Sequence, residues 1–125
     1  MQSRWSLSDV RRALAGIGAA LAVGVALGPN GAGAQAPASD AQLAEGRALF
    51  IGGATPPCAI CHTLREAGAT GNVGPSLDDL RPDEARVTAA VREGIGAMPS
   101  FAGSLSEAQI RALARYVAKA SGGAR

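Results

Sequence analysis

The stretch Cys58-Ala59-Ile60-Cys61-His62 decides how the rest of this chain is interpreted. It has the pattern Cys-x-x-Cys-His, which is the attachment signature for a c-type haem. Two thiols at this spacing can each form a thioether with a vinyl group of the haem, and the adjacent imidazole can then bind the iron. The motif therefore predicts one haem, bound covalently through Cys58 and Cys61 and ligated by His62.

The residue counts make this interpretation more specific. The chain contains 2 Cys and 1 His, and Met98 is its only methionine besides Met1. A haem with His and Met as axial ligands needs one residue of each kind. We therefore expect Met98, which Pro99 follows in a Gly-rich loop, to be the second axial ligand. Without that ligand, an open iron site with peroxidase or gas-binding chemistry becomes the alternative.

A Cys-x-x-Cys pair has three other common uses. A thioredoxin-type redox site expects a βαβ setting, and the sequence has no parallel-strand pattern. A closed zinc site needs about four ligands, and the chain has no Cys or His beyond Cys58, Cys61 and His62. A plain disulfide in an exported protein is the third use.

Residues 1–34 have the pattern of a signal peptide. Arginines precede an uncharged apolar run over 13–27, and small residues lead up to Ala34. We place the cleavage after Ala34 and expect export to the periplasm by the general secretory route, because covalent haem attachment takes place outside the cytoplasm. Cleavage after Ala36 and a retained N-terminal membrane anchor are the alternatives.

The balance of charge limits the class of partner that the chain is expected to bind. Of the 12 basic and 10 acidic residues, three basic and one acidic lie before the cleavage site, so nine of each remain. No basic cluster is interleaved with aromatic residues, so nucleic-acid binding is not expected.

The aromatic residues after the cleavage site are Phe50, Phe101 and Tyr116. That is a thin core, which a buried apolar macrocycle would supplement.

The hydrophobic periodicity predicts an all-α domain over 41–121, after a flexible lead-in at 35–40 and before a tail at 122–125. We expect three to four helices and no strands, with 63–74 as a loop. The marked helices are 41–50 with Asp40 as the N-cap, 83–93 with Gly94 as the stop, and one from the Ser106–Gln109 capping box to Gly122.

The chain resembles class I cytochrome c from about residue 43 to residue 117. The resemblance rests on the Cys-x-x-Cys-His motif at 58–62 and on Met98-Pro99 in a Gly-rich loop, in that order. It implies the cytochrome c fold, with helices wrapped around one covalent haem c, and electron transfer without catalysis. It also implies that the carbonyl of Pro75 accepts a hydrogen bond from the ring N–H of His62, which fixes the imidazole tautomer.

The resemblance further implies how the terminal helices cross and how the haem is held. Gly46 with Phe50 would pack against Leu113 with Tyr116. The part after residue 34 has no Trp, so the haem propionates would be held by other groups. The candidates are backbone N–H groups and the side chains of Arg65, Arg81 and Ser76.

We expect a monohaem electron carrier between a donor and an acceptor protein, docking through an apolar surface that includes Ala59, Ile60, Ile95 and Ala97. Contact with a membrane is expected only if the N-terminal segment is retained. The runs 61–64, 68–71 and 73–75 are similar to the small cytochrome subunit of periplasmic sulfite dehydrogenases. This narrower resemblance implies the alternative of a haem c subunit beside a molybdenum oxidoreductase subunit.

Overall fold

A computed structural model describes residues 38–124. The signal peptide expected at 1–34, its cleavage site and the start of the lead-in lie outside the described residues. Four α-helices dominate the described part: α1 (Asp40–Ala48), α2 (Leu77–Leu80), α3 (Glu84–Glu93) and α4 (Glu107–Ser121). Within residues 38–124, no helix combines the length and the apolar character that crossing a membrane requires.

The first helix begins one residue earlier than predicted. Ser39 Oγ accepts a hydrogen bond from the Gln42 N–H, and Gln42 Oε1 accepts one from the Ser39 N–H, each at 3.3 Å. Such a capping box needs Gln or Glu three residues after the cap, and Leu43 stands at that place relative to Asp40. The prediction of Asp40 as the N-cap was therefore wrong. Asp40 instead lies in the first turn, where its carboxylate interacts favourably with the helix dipole.

The C-terminal end of this helical segment is also different from the prediction. The α-helix ends at Ala48 and continues as a π-helical turn over Leu49–Gly53, closed by a 3.1 Å bond from the Ala54 N–H to the Leu49 carbonyl. The π turn inserts one extra residue into the helical repeat. Leu49 and Phe50 are the residues of this turn that become buried in the core.

The sequence interpretation missed two short elements. Strands β1 (Thr63–Leu64) and β2 (Ala69–Thr70) form a two-stranded antiparallel hairpin, so the prediction of a strandless loop over 63–74 was wrong. Helix α2 is a single turn, capped by Ser76, in a segment for which no helix was predicted. Elements of two and four residues are too short to show a hydrophobic period, which explains both misses.

The last two helices agree closely with the sequence signals. Asp83 caps α3 through a 2.8 Å bond from the Arg86 N–H, and Gly94 ends it with φ 75°. Ser106 and Gln109 form the predicted capping box at the start of α4. Gly122 ends α4 in the left-handed conformation, with φ 78°, which a glycine adopts without strain.

Helices α1 and α4 cross where Gly46 meets the backbone of α4. A Cβ at Gly46 would lie 2.5 Å from the Tyr116 Cβ and 2.9 Å from the Ala112 carbonyl carbon. Next to this crossing, the rings of Phe50 and Tyr116 pack edge to face, with centroids 6.0 Å apart. The crossing implied by the family resemblance is therefore present, with Leu113 buried beside it.

Polar contacts join the helices around the core. Arg115 donates to Glu84 at 3.0 Å and to Gln42 at 2.9 Å, so one side chain of α4 reaches both α3 and α1. The Tyr116 hydroxyl donates to Glu66 in the turn between the two strands. Burial, and then the hydrogen bond to Glu66, raise the pKa of Tyr116. The phenol therefore stays protonated and keeps its donor role at physiological pH.

We predict that Gly46→Ala destabilises the protein although alanine is the better helix former by about 1 kcal/mol. The added methyl group would collide with the α4 backbone, which cannot yield as a flexible side chain can. Overpacking of this kind costs about 1–3 kcal/mol. Urea unfolding of the haem-loaded protein should show a lower free energy of unfolding. Gly52→Ala is the matched control, because its Cβ would meet nothing within 4 Å. Equal stability of the two variants would contradict the close approach.

Candidate functional site

The predicted site residues lie around one pocket of about 430 Å³. This volume is within the range of about 300–1,000 Å³ typical of cofactor and small-molecule sites. The pocket wall contains all five residues singled out from the sequence, namely Cys58, Cys61, His62, Pro75 and Met98. Separate segments of the chain supply them, so the fold brings together residues that are up to forty positions apart.

The two cysteines lie on a tight turn. Cys58–Ile60 forms one turn of 3₁₀-helix, and the N–H groups of Cys61 and His62 both donate to the Cys58 carbonyl, at 3.1 and 2.9 Å. Both cysteines are half-buried, and no disulfide joins them. Burial raises the pKa of Cys58 to about 11. The thiol is therefore neutral at physiological pH, which suits the apolar wall that it joins.

The ring of His62 is held in one tautomer. Its Nδ1 lies 2.9 Å from the carbonyl oxygen of Pro75. A carbonyl oxygen can only accept a hydrogen bond, so Nδ1 carries the proton and donates it. The lone pair of Nε2 is then free to bind a metal. The contact implied for Pro75 by the family resemblance is present in this structure.

Two glycines make room for the Cys-x-x-Cys-His motif, and the sequence interpretation gave them no role in the site. A Cβ at Gly74 would lie 2.5 Å from His62 Cε1, so only a glycine lets the chain pass this close to the ring. A Cβ at Gly71 would lie 2.6 Å from the Ile60 carbonyl carbon. The Gly74 N–H also donates to the Cys61 carbonyl at 2.8 Å. A cluster of glycines was the only sequence signal of these approaches.

Met98 lies in a tight turn that follows α3. Ile95 and Met98 exchange backbone hydrogen bonds of 3.1 and 2.9 Å. Gly94, at φ 75°, starts the turn, and a Cβ there would lie 2.8 Å from the Met98 carbonyl oxygen. Beyond the turn, the Phe101 N–H donates to the Val91 carbonyl of α3 at 2.8 Å. These bonds fix the backbone that carries Met98.

The remainder of the wall is almost entirely apolar. Phe50, Leu113 and Val117 line it from the core, and Val87 and Val91 line it from α3. The described part of the chain contains no group of three or more His, Cys, Asp or Glu side chains arranged to hold a metal ion. The donors present are two thiols, one imidazole nitrogen and one thioether. This set fits a flat apolar macrocycle with a ligated iron better than it fits a bare metal ion.

A single charged side chain, Arg86, lines this pocket among the described residues. The sequence does not single it out, because Val87 and Ala90 next to it form part of an apolar stripe that accounts for the burial of α3. The sequence signal was still available. Arg86 precedes Val87 by one position and Ala90 by four, which places it at the edge of the apolar stripe.

The three side chains proposed from the sequence to hold the propionates have other roles here. Arg65 lies 3.5 Å from the carboxylate of Asp78, and the Arg65 N–H donates to that carboxylate at 2.9 Å. Arg81 Nε donates to the Asp78 carbonyl at 3.3 Å. Ser76 caps α2. None of these three lines the pocket.

Comparison with known proteins places this geometry in a family. The family model described as "Cytochrome C oxidase, cbb3-type, subunit III" matches residues 41–117. Cytochrome c6 from Synechocystis sp. is 34% identical over 85 residues, which are 62% of this chain and 64% of that protein. The chain thus covers less than two thirds of the length of this relative.

A solved structure gives the same result for the three-dimensional fold. The c-type cytochrome SorU from Sinorhizobium meliloti has a TM-score of 0.65 and 46% sequence identity, over 70% of this chain and 99% of that chain. The described helices and the pocket between them are therefore those of the cytochrome c fold. The protein is a c-type cytochrome, and its chain belongs to the cytochrome c family represented by the matching model.

Proposed function

We propose that this protein carries single electrons between redox partners through one haem c whose iron is ligated by His62 and Met98. The observation that carries the proposal is the common pocket of Cys58, Cys61, His62 and Met98, together with the fixed tautomer of His62. Its similarity to other c-type cytochromes supports electron transfer rather than catalysis.

Each of these residues has a separate task. The bound haem supplies an iron that gains and loses one electron. Cys58 and Cys61 would anchor it covalently. His62 would bind through Nε2, while its bond to the Pro75 carbonyl increases the basicity of the ring. The thioether of Met98 would raise the reduction potential relative to a second His, and with both axial positions filled no substrate could bind the iron.

Exposed apolar residues near the pocket support transient docking of a redox partner. Val73 and Ile95 line the pocket and are 74% and 66% exposed, and Ile60, next to Cys61, is 59% exposed. Ala97 is also exposed on the pocket wall. A small patch of this kind suits the weak interfaces, below about 1,200 Å², that electron-transfer complexes use.

The donor or acceptor could be a separate protein or the catalytic subunit of a heteromeric oxidoreductase. The sequence similarity to cytochrome subunits of sulfite dehydrogenases favours a molybdenum enzyme in that second case. Co-purification of the tagged protein with such an enzyme, stable to gel filtration, would support the subunit. Elution as a free monohaem protein would support the mobile carrier.

The proposed site of action is the periplasm, after removal of residues 1–34. Intact-mass measurement of the haem-loaded protein from its native host should give a chain that begins at Gln35. A chain that begins at Pro37 would move the cleavage site to Ala36. A chain that retains Met1 would replace cleavage by an N-terminal anchor and contradict the proposal.

We predict that the haem resists extraction by denaturants and by acidified organic solvent, because two thioethers hold it. The double variant Cys58→Ser, Cys61→Ser keeps the size of both side chains but cannot form thioethers. It should lose all haem on a denaturing gel stained for haem, while the parent protein keeps its stain. Haem staining of the double variant at the parent level would contradict attachment through these residues.

We predict that Met98→Ala converts the iron from six-coordinate low-spin to high-spin, because one ligand is removed. The oxidised variant should lose the thioether-to-iron charge-transfer band, and the reduced variant should bind carbon monoxide. Ile95→Ala is the matched control, since Ile95 lines the pocket on the same turn but has no ligating atom. It should keep the low-spin spectrum.

Two results would contradict the ligand assignment. An unchanged spectrum of Met98→Ala would show that another group binds the iron. A high-spin parent protein that binds carbon monoxide would favour the open-site alternative, with peroxidase or gas-binding activity, over the carrier.

A further inference from the structure

Asp78 is a nearly buried carboxylate that the proposed function does not use. It lies in the one-turn helix α2, and its side chain is only 10% exposed. One carboxylate oxygen accepts a hydrogen bond of 2.9 Å from the backbone N–H of Arg65, and the other lies 3.5 Å from the Arg65 Nε. A carboxylate removed from water needs such partners, because an unpaired buried charge is costly. Asp78 therefore joins α2 to the segment that directly follows β1.

Of these two contacts, the bond from the backbone is the stronger. The side chain of Arg65 is 83% exposed, and ion pairs of such exposed groups stabilise a protein little. The backbone N–H meets a charged acceptor that is nearly buried, and charge-assisted hydrogen bonds are about twice as strong as neutral ones. The important contact is therefore the one between the Asp78 side chain and the backbone of residue 65, which does not depend on the arginine side chain.

Three successive hydrogen bonds join the segments 61–65 and 74–78. In chain order, these bonds run from the Gly74 N–H to the Cys61 carbonyl, from His62 Nδ1 to the Pro75 carbonyl, and from the Arg65 N–H to Asp78. The bond of the ligand imidazole is the middle one. The first bond joins two backbone groups. Among the three, only the Asp78 bond is supported by a side chain other than that of His62 itself.

The bond between His62 and Pro75 is accessible to competing water. Pro75 is exposed, and His62 is only half-buried. A carbonyl at the surface can exchange its protein donor for water at little cost, so the bond depends on a backbone that is held in place. Asp78 lies three residues after Pro75, and Arg65 lies three residues after His62. Their hydrogen bond therefore closes a small ring around the contact between the imidazole and the carbonyl.

We propose that Asp78 is a positioning residue for His62. By binding the Arg65 N–H, its carboxylate keeps the Pro75 carbonyl within hydrogen-bond distance of His62 Nδ1. The bond at Nδ1 fixes the tautomer and increases the basicity of the ring. Asp78 thus acts on the iron through Pro75 and His62 without touching either the haem or its ligand. The inference rests on the proposed function in one respect, because His62 must bind the iron of a haem.

The test compares four haem-loaded variants of the full protein. Asp78→Ala removes the acceptor and the charge, whereas Asp78→Asn removes the charge but keeps an oxygen that can accept from the Arg65 N–H. Arg65→Ala removes the ion pair and leaves the backbone N–H. Asp79→Ala is the matched control, because Asp79 is the next residue of α2, is exposed, and has no side-chain hydrogen bond or ion pair within residues 38–124.

The first readout is the exchange of the His62 Nδ1 proton with deuterated water, followed by NMR of the reduced protein. For Asp78→Ala we expect exchange about tenfold faster than in the parent, the size expected for loss of a hydrogen bond to a charged group. Asp78→Asn should stay within about threefold of the parent. Arg65→Ala and Asp79→Ala should match the parent. Unchanged exchange of the α4 amide protons in all four variants would show that the effect is local.

The second readout is the redox equilibrium with a soluble mediator of fixed potential. A less basic imidazole stabilises oxidised iron less, so weakening the bond at Nδ1 favours the reduced protein. Asp78→Ala and Asp78→Asn lose the same charge, but only Asp78→Ala loses the acceptor. We therefore expect the equilibrium of Asp78→Ala to lie about twofold or more further towards reduced protein than that of Asp78→Asn.

Three outcomes would overturn the proposal. In the first, the His62 proton of Asp78→Ala exchanges at the parent rate. In the second, Asp78→Asn exchanges as fast as Asp78→Ala, which would indicate an effect of charge rather than of the hydrogen bond. In the third, Asp79→Ala or Arg65→Ala accelerates exchange as much as Asp78→Ala does.

A measurement on the parent protein decides if Asp78→Ala fails to load haem. The Arg65 N–H and the His62 Nδ1 proton should then lose protection by the same factor as urea is raised, because one opening exposes both. Loss of protection at His62 while Arg65 stays protected would overturn the proposal. Failure of the proposed function would instead appear in the parent protein as absent or high-spin haem.

Discussion

The close approach of Gly46 to the backbone of α4 is the constraint on which the rest of the structure depends. It brings the beginning and the end of the described chain together, because α1 and α4 lie at its two ends. The same crossing presents Phe50 and Leu113 to the pocket. The helices thus form a rigid frame, and the segments between them are free to take the irregular conformations that the site requires.

The site itself is built mostly from turns and loops. His62 follows a 3₁₀ turn, Pro75 precedes the one-turn helix α2, and Met98 lies in a turn closed by two backbone hydrogen bonds. Loops hold functional groups accurately only when their backbone groups are paired. Here that pairing joins each loop to a neighbour, as between Gly74 and Cys61 and between Phe101 and Val91. Glycines then supply the clearance that side chains would obstruct.

The distribution of charge is as informative as the packing. Most arginines of the described chain are used to join elements, such as Arg115 between α1, α3 and α4. Asp78 binds the backbone N–H and the side chain of Arg65. Apart from the two cysteines and His62, the wall of the pocket is apolar except at Arg86. An apolar pocket with one cation at its edge matches an apolar macrocycle that carries carboxylates.

Local signals in the sequence were sufficient to predict much of the fold and of the candidate site. Cys58, Cys61 and His62 predict haem attachment, because thioether chemistry depends on a spacing within five residues. Capping residues such as Ser106 and Gln109 located α4 for the same reason, since a cap is completed within one turn. At the first helix the same rule, applied to Ser39 and Gln42, would have corrected the choice of Asp40.

Features formed by separate segments of the chain could be identified only in the folded structure. Nothing near Arg86 in the sequence separates it from Arg65 or Arg81, and only the packing of α3 shows that it alone reaches the pocket. The clearance at Gly74 likewise exists because His62 packs over it. Short-range patterns fix turns, caps and covalent motifs through bonds between near neighbours. Burial, pocket lining and ion pairing depend on distances between remote residues, which the chain acquires only when its helices pack.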